Sequence, residues 1–297
     1  MILNQLKFKL LLNFFKNKKK LLWTLKNHLF ENEIGSPKIS ILILSKNTVL
    51  GKKNEKIYVV NDSYQSWNLI NDANYQNEFI KRIRELIDKK IQYDFIDIGA
   101  NIGLMTRCLL NNKINIKNSY CIEPNRENFF CLKNNLANFK NINLYNFALD
   151  KIEGKKKLYL DKHNKGNFSF YSEMMTLKKD KLNFLNSNKN YEIIECKSIK
   201  KFFGSLVTKE NIIKIDTQGY DEIIFQEIPE KILKKNKIMI IEISPISSKK
   251  INFEKYSNNL RFYNKFTDFE GKIYSRQDVL DLSKNTEGKN TDLIFLN

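Results

Sequence analysis

Short apolar runs alternate with amphipathic stretches along most of the chain after residue 90. The runs YDFIDI, SYCIE, NIIKID and KIMIIEIS predict buried strands. LMTRCLLNN, NRENFFCLKNNLANF and YDEIIFQEI carry apolar residues at helical spacing. NINLYNFAL predicts one further strand, and TDLIFLN at the end predicts an antiparallel closing strand. This alternation indicates an α/β fold with a doubly wound, mostly parallel, Rossmann-like sheet.

The pattern before and within this domain is less regular. KISILILSKN and KIYVVND predict short strands, and QNEFIKRIRELIDKK predicts a helix. Residues 151–200 interrupt the alternation; their apolar runs predict antiparallel strands or a loop over one edge of the sheet. We therefore divide the chain into a basic extension of helix and short strand, 1–50, and an α/β domain, 51–297.

Residues 1–30 contain no aspartate or glutamate, and their leucines and phenylalanines fall at helical spacing among lysines. No apolar run reaches the roughly 18 residues that span a bilayer, and no signal-peptide pattern is clear. The stretch predicts a basic amphipathic helix that either contacts the inner membrane face or docks on protein. The expected location is cytoplasmic, with peripheral membrane contact as an open alternative.

The formal charge of +18 admits a nucleic-acid or membrane partner, but lysine and asparagine are abundant throughout, which favours a compositional origin. The four cysteines form no C-x-x-C pair, and the two histidines lie far from them in sequence. This argues against zinc. Cys108 and Cys121 lie in apolar runs and are expected to be buried, reduced thiols.

The stretch DFIDIGANIG, residues 94–103, places a turn directly after the first strong strand. Gly99 allows a sharp turn and a close approach of its backbone to a ligand, and Gly103 allows tight packing where the next helix begins. Free N–H groups at that helix start favour a carboxylate or phosphate. Asp97 would repel a pyrophosphate but suits an ammonium group, so an amino acid moiety fits better than a dinucleotide.

The next strand ends in CIEPN, which puts Glu123 24 residues after Gly99. A carboxylate at that strand end accepts hydrogen bonds from vicinal ribose hydroxyls. Ribose and amino acid together indicate S-adenosylmethionine as the cofactor. An ordinary nucleotide-binding Rossmann unit is the alternative, although the G-x-G-x-x-G spacing is missing.

IDIGANIG, CIEPNRENFFCLKNNL, NFALD, IIKIDTQGYD and IMIIEISP resemble, in order and spacing, the FkbM-type methyltransferases of class I. The resemblance runs from about residue 92 to 245. It implies a set of cofactor-binding residues: Asp97, Gly99, Ala100, Asn101 and Gly103 for the methionine part; Glu123, Pro124 and Asn125 for the ribose; Ala148 and Leu149 beside the adenine; and Asp216 between cofactor and acceptor. Gln218 and Asp221 depart from the family's usual E-G-x-E.

The resemblance implies methyl transfer to a hydroxyl of a sugar or glycan-type acceptor. Asp216 at a strand end is the first candidate base, Glu242 the second and His163 the third. Asp221 and Glu222 open a helix, where their charge favours the helix dipole. No metal is expected, because Asp216 alone makes no carboxylate cluster.

Two other functions stay open. The charge admits an RNA or other nucleic-acid methyltransferase, but the Asn/Asp-Pro-Pro-aromatic loop of amino methylation is missing after the fourth strand, so nucleic acid is the less favoured acceptor. A non-catalytic cofactor-fold module bound to a membrane is the third possibility. Residues 155–190 and 246–275 are the segments expected to select the acceptor.

Overall fold

The structure is a computed structural model that describes residues 39–60, 68–69, 76–160, 168–171, 191–245, 247, 250–286 and 289–297. The predicted N-terminal helix within 1–30 and the candidate base His163 lie outside these residues. Both stay predictions. Within the described ranges, no helix is both long and apolar enough to cross a bilayer.

The strands are numbered in chain order. They are β1 (Ile39–Ile43), β2 (Lys56–Val60), β3 (Tyr93–Ile98), β4 (Ile116–Ile122), β5 (Ile142–Tyr145), β6 (Ala148–Asp150), β7 (Gly154–Leu160), β8 (Phe168–Ser169), β9 (Tyr191–Ser198), β10 (Glu210–Ile215), β11 (Asn236–Ile243), β12 (Lys265–Thr267), β13 (Ile273–Tyr274) and β14 (Thr291–Leu296).

The helices are numbered likewise. They are α1 (Asn77–Leu86), α2 (Leu104–Asn111), α3 (Arg126–Leu136), α4 (Ile199–Ser205), α5 (Asp221–Phe225), α6 (Glu230–Leu233), α7 (Phe253–Leu260) and α8 (Arg276–Lys284).

The central sheet has eight strands in the order β13-β12-β14-β11-β10-β3-β4-β5. β5, β4, β3, β10 and β11 are parallel, and β14 pairs antiparallel with β11. The predicted fold class, including the closing antiparallel strand, is confirmed. The strand order reverses between β3 and β10, which is where open α/β sheets bind ligands, beyond the carboxyl ends of the strands.

Both faces of this sheet are covered, which explains why its central strands are apolar without alternation. All six residues of β3 are buried. One face packs Ile96, Ile98 and Ile213 into the larger core cluster. The other face packs Phe95 and Ile212 into the second cluster.

A second sheet has the order β6-β9-β7-β8. It accounts for the segment that interrupts the alternation, and the antiparallel pairing predicted there is confirmed for β7 with β8 and with β9. The prediction of one strand through NINLYNFAL is wrong, because the chain leaves the central sheet after β5. The side-chain amide of Asn146 donates to the carbonyls of Glu123, at 2.9 Å, and Pro124, at 3.0 Å, and so turns the chain toward β6.

β1 and β2 form an antiparallel hairpin that is tied to the central domain. The buried guanidinium of Arg107 in α2 donates to the carbonyl of Leu50, at 2.6 Å, and to the Glu55 carboxylate, at 2.7 Å. The predicted boundary at residue 50 falls between the two strands of this hairpin, and the contacts join the connection between the strands to α2 of the α/β domain.

Candidate active site

The turn after β3 is fixed by the strands on both sides of it. The backbone N–H groups of Gly99 and Ala100 donate to the Ile122 carbonyl of β4, each at 2.9 Å. Gly99 has a φ of 74°. A Cβ atom added there would lie 1.9 Å from the carbonyl oxygen of Asp216, after β10. The backbone of Gly99 therefore approaches the protein's own chain closely, and its predicted approach to a ligand stays a prediction.

Gly103 sits at the N-cap of α2 with a φ of 82°. A Cβ atom there would lie 2.6 Å from Cδ1 of Leu132 in α3. The tight packing predicted for this glycine is confirmed. Between the two glycines, Asn101 also takes the left-handed conformation, with a φ of 52°.

Glu123 follows β4 at its carboxyl end and is buried. Its Oε2 accepts from the backbone N–H of Asn101, and its Oε1 accepts from that of Asn125, both at 2.9 Å. The carboxylate thus joins the turn after β3 to the start of α3. Burial raises the pKa of Glu123 to about 7, although these two hydrogen bonds act in the opposite direction.

Asn125 is the N-cap of α3, and its Oδ1 accepts from the backbone N–H of Asn128 at 3.0 Å. Its Nδ2 donates to Oε1 of Glu192, in β9 of the second sheet, at 2.9 Å. The neighbouring Pro124 is partly exposed, and its carbonyl accepts from Asn146.

Asp97 has no exposed surface. Its Oδ2 accepts from the Thr106 hydroxyl of α2 at 2.8 Å, and its Oδ1 lies 3.3 Å from Nζ of Lys214 in β10. Direct contact between Asp97 and a cofactor ammonium stays a prediction.

Asp216 lies directly after β10, and 42% of its side chain is exposed. Its Oδ2 is 3.5 Å from Lys214 Nζ, and its Oδ1 accepts from Nε2 of Gln218 at 2.9 Å. Asp221 organises this loop, since its carboxylate accepts from the N–H groups of Thr217 and Gly219, each at 3.2 Å. Asp221 therefore does more than favour the dipole of α5.

Glu242 lies in β11, beside β10, and its Oε2 is buried and receives no hydrogen bond from the described residues. Burial, followed by the charges of Asp221, Asp216 and Asp292, raises its pKa to about 9. A raised pKa disfavours the ionised form that a base needs, so Glu242 remains the second candidate after Asp216, and its role as a base stays a prediction.

Ala148 and Leu149, predicted to border the adenine, form part of β6. The Leu149 side chain is buried in the larger core cluster, and Ala148 packs with the apolar face of the second sheet. The adenine contact stays a prediction. Among the described residues, no group of three or more His, Cys, Asp or Glu side chains is placed to hold a metal ion.

A family model for the methyltransferase FkbM domain matches residues 97–270, more than half of the 297-residue chain. The chain belongs to the FkbM methyltransferase family. The predicted family is confirmed, and with it the assignment to the S-adenosylmethionine-dependent methyltransferases. The matched range contains the turn after β3, Glu123 and the loop after β10.

Several solved structures are similar to this FkbM-family chain. A methyltransferase FkbM from Methylobacillus flagellatus KT is 16% identical, with a TM-score of 0.36, over 69% of this chain and 43% of that one. A precorrin-6y C5,15-methyltransferase from Geobacter metallireducens GS-15 is 11% identical, with a TM-score of 0.34, over 76% and 91%. The plantazolicin methyltransferase BpumL in complex with SAH is 11% identical, with a TM-score of 0.34, over 79% and 91%. Against curated proteins, the sequence has no match.

Lys214 is the main residue that sequence reasoning missed in this FkbM-family site. It lies between Ile213 and Ile215 in β10, and it is buried beside Asp97, Asp216 and the Gly99 carbonyl, which lies 3.4 Å from its Nζ. Burial alone would lower the pKa of Lys214, but the two carboxylates raise it above its usual value, so the amine stays charged. The charge among apolar neighbours in NIIKID is the signal that could have identified it.

Gly99→Ala is expected to lower the free energy of unfolding by more than about 2 kcal/mol, because the new Cβ meets the Asp216 backbone and a positive φ disfavours alanine. Chemical denaturation measures this. Gly204→Ala, in α4, is the matched control: a Cβ there meets no atom within 4 Å. Equal unfolding midpoints for the two variants would contradict the tight turn.

Lys214→Met is expected to cost about 3–5 kcal/mol in the free energy of unfolding, because it leaves the Asp97 carboxylate buried without a compensating charge. The double variant Lys214→Met/Asp97→Asn should recover part of that loss, since both charges are then removed. Lys201→Met, which breaks a surface pair with Glu153, is the control and should change little. A double variant less stable than the lysine variant would argue against the pair.

Proposed function

We propose that this chain binds S-adenosylmethionine beyond the carboxyl ends of β3 and β4 and methylates a hydroxyl of a sugar or glycan-type acceptor. The observation that carries the cofactor placement is the network at Glu123. Two backbone N–H groups occupy one lone-pair direction on each carboxylate oxygen. The side-chain amide of Asn128 also hydrogen-bonds this carboxylate, and the acceptor capacity that remains is the part that a ribose hydroxyl would use.

The turn after β3 supports the same placement. It ends at the start of α2, where backbone N–H groups without intrahelical partners favour the carboxylate of the methionine part. Hydrogen bonds to β4 and close contact with the backbone after β10 give the turn a fixed shape in the absence of a ligand. A fixed site loses less conformational entropy on binding.

Bound at this position, the cofactor supplies a methyl group carried on a positively charged sulfur. The protein's part is to hold an acceptor oxygen in line and close to that carbon, and to exclude water. Asp216 is the base that we propose for the acceptor proton, because its partly exposed carboxylate stands at the strand end next to the turn. Lys214 and Gln218 fix its orientation, one on each oxygen. General-base help of this kind contributes about 10²–10⁴ in rate.

A nucleic-acid acceptor is the second candidate, and the charge of +18 is the observation that motivates it. The glycan-type acceptor rests on the family resemblance. One labelling experiment separates the two.

Cofactor affinity is expected to rise with pH through the titration of Glu123. The native carboxyl is protonated below about pH 7, and a protonated carboxyl accepts hydrogen bonds poorly from hydroxyls. Binding measured by calorimetry should therefore be roughly tenfold weaker at pH 6 than at pH 8. The apo protein should show the opposite trend: the native state binds the extra proton, so this group's contribution to stability falls as pH rises from 4.5 to 7.

Glu123→Gln should bind more weakly at pH 8 and lose this pH dependence, while Glu254→Gln, an exposed acid in α7, should behave like the wild type. A Glu123→Gln chain that keeps the wild-type pH profile would contradict the ribose role.

Transfer of a radiolabelled methyl group should label a glycan fraction, and the label should resist mild alkali, as a methyl ether does and a methyl ester does not. The full chain would be assayed against glycan, lipid and RNA fractions, with Glu123→Ala as the cofactor-binding control. Labelling of RNA alone, abolished in that control, would replace the glycan acceptor with the nucleic-acid one. Asp216→Asn should lower the turnover number by a larger factor than it lowers cofactor affinity.

A further inference from the structure

Glu192 reaches the cofactor site from outside the central sheet. It lies in β9 of the second sheet, and it accepts a hydrogen bond from Nδ2 of Asn125 at 2.9 Å, across 67 residues of sequence. The same asparagine donates its backbone N–H to Glu123. A single residue therefore separates Glu192 from the carboxylate assigned to the ribose.

The contact with Glu192 determines which way the Asn125 side chain faces. The carbonyl end of its amide caps α3 at Asn128, and the amine end faces Glu192. An amide whose two ends meet an N–H donor and a carboxylate acceptor has one favourable orientation, because flipping it would place like groups together. The backbone of Asn125, and with it the N–H group that donates to Glu123, is held by these two contacts.

Glu192 differs from the other groups around Glu123 because its side chain carries a charge. α3 presents the neutral side chains of Asn125 and Asn128, and the loop after β5 presents the neutral amide of Asn146. Tyr145 in β5 accepts the Glu123 N–H through its backbone carbonyl, and burial raises the pKa of its phenol, which is therefore neutral. Among the described neighbours, Glu192 is the charged side chain that raises the pKa of Glu123 by repulsion, after the larger effect of burial.

We propose that Glu192 is a positioning residue of the cofactor site: it holds Asn125, and through Asn125 the Glu123 carboxylate, from the second sheet. This inference rests on the proposed function, since it assumes that Glu123 receives the ribose. The negative charge of Glu192 has a second effect, because it makes Glu123 ionise at a higher pH. Position and charge can be separated, since glutamine keeps an acceptor oxygen for Asn125 and carries no charge.

The test is calorimetric titration of the full chain with S-adenosylmethionine between pH 6 and pH 8.5. Glu192→Ala removes the acceptor and should weaken binding three- to tenfold at pH 8. Glu192→Gln should bind within twofold of the wild type at pH 8, and two- to threefold more tightly than the wild type at pH 6.5, where Glu123 ionises more readily without its neighbour. A structural role alone predicts no such pH-dependent gain.

Glu195→Gln is the matched control. It removes the same charge from an exposed position three residues further along β9. It should leave both the affinity and the pH profile unchanged. A gain at pH 6.5 in this control would overturn the proposal in favour of a general surface-charge effect. Alanine and glutamine variants that both bind like the wild type would overturn it as well.

A second measurement needs no cofactor. Unfolding free energies at pH 8 for Glu123→Gln, Glu192→Gln and the double variant form a double-mutant cycle, and coupled neighbours give non-additive effects. If the wild-type chain binds S-adenosylmethionine but the two substitutions have additive effects on the free energy of unfolding, the proposed role of Glu192 is overturned and the proposed function is not. A wild-type chain that binds no S-adenosylmethionine at any pH would overturn the proposed function, and the role of Glu192 with it.

Discussion

The ion pair between Asp97 and Lys214 is the interaction on which the site depends. The pair is buried at the point where the strand order reverses, and it joins β3 to β10. Breaking a buried pair leaves an uncompensated charge, so each partner constrains the other. The same lysine contacts the Gly99 carbonyl and Asp216. The turn on the cofactor side and the loop on the acceptor side are therefore placed relative to one another by one charged group.

The buried acids of the site differ in how their burial is compensated. Asp97 is compensated by a full positive charge, and it has no solvent exposure. Glu123 is compensated by hydrogen bonds from two backbone N–H groups and from the Asn128 side chain, and burial still raises its pKa to about 7. Glu242 has other acids as its charged neighbours, and their charges add to burial in raising its pKa. The surroundings of each carboxyl group thus determine how its pKa differs from that of a free carboxyl group.

Much of the fold could be predicted from local pattern. β3, β10 and β11 are apolar runs buried on both faces, and the two glycines after β3 mark the turn. The break after β5 could not be predicted, because it depends on an Asn146 amide reaching carbonyls more than twenty residues earlier. Periodicity carries no information about such a contact.

The contacts of the candidate site also differ in how far the sequence could predict them. Glu123 was predictable because the carboxyl ends of parallel strands meet at one edge of a sheet. The contact of Glu192 with Asn125 was not, since it joins different sheets across 67 residues. The pairing of Asp97 with Lys214 lies between these cases: parallel neighbours place both residues in register, yet strand adjacency is known only once the order of the sheet is known.

The chain passes from the central sheet to the second sheet through only Asn146 and Phe147. Asn146 is hydrogen-bonded to the backbone that carries Glu123, and Phe147 packs against Tyr145 and Phe202. A link of two residues restricts where the second sheet can lie, so this sheet cannot be replaced independently by that of a relative. Recombination between homologues is compatible with a working methyl-donor site only if the crossover keeps β5, the link and β6 from a single parent.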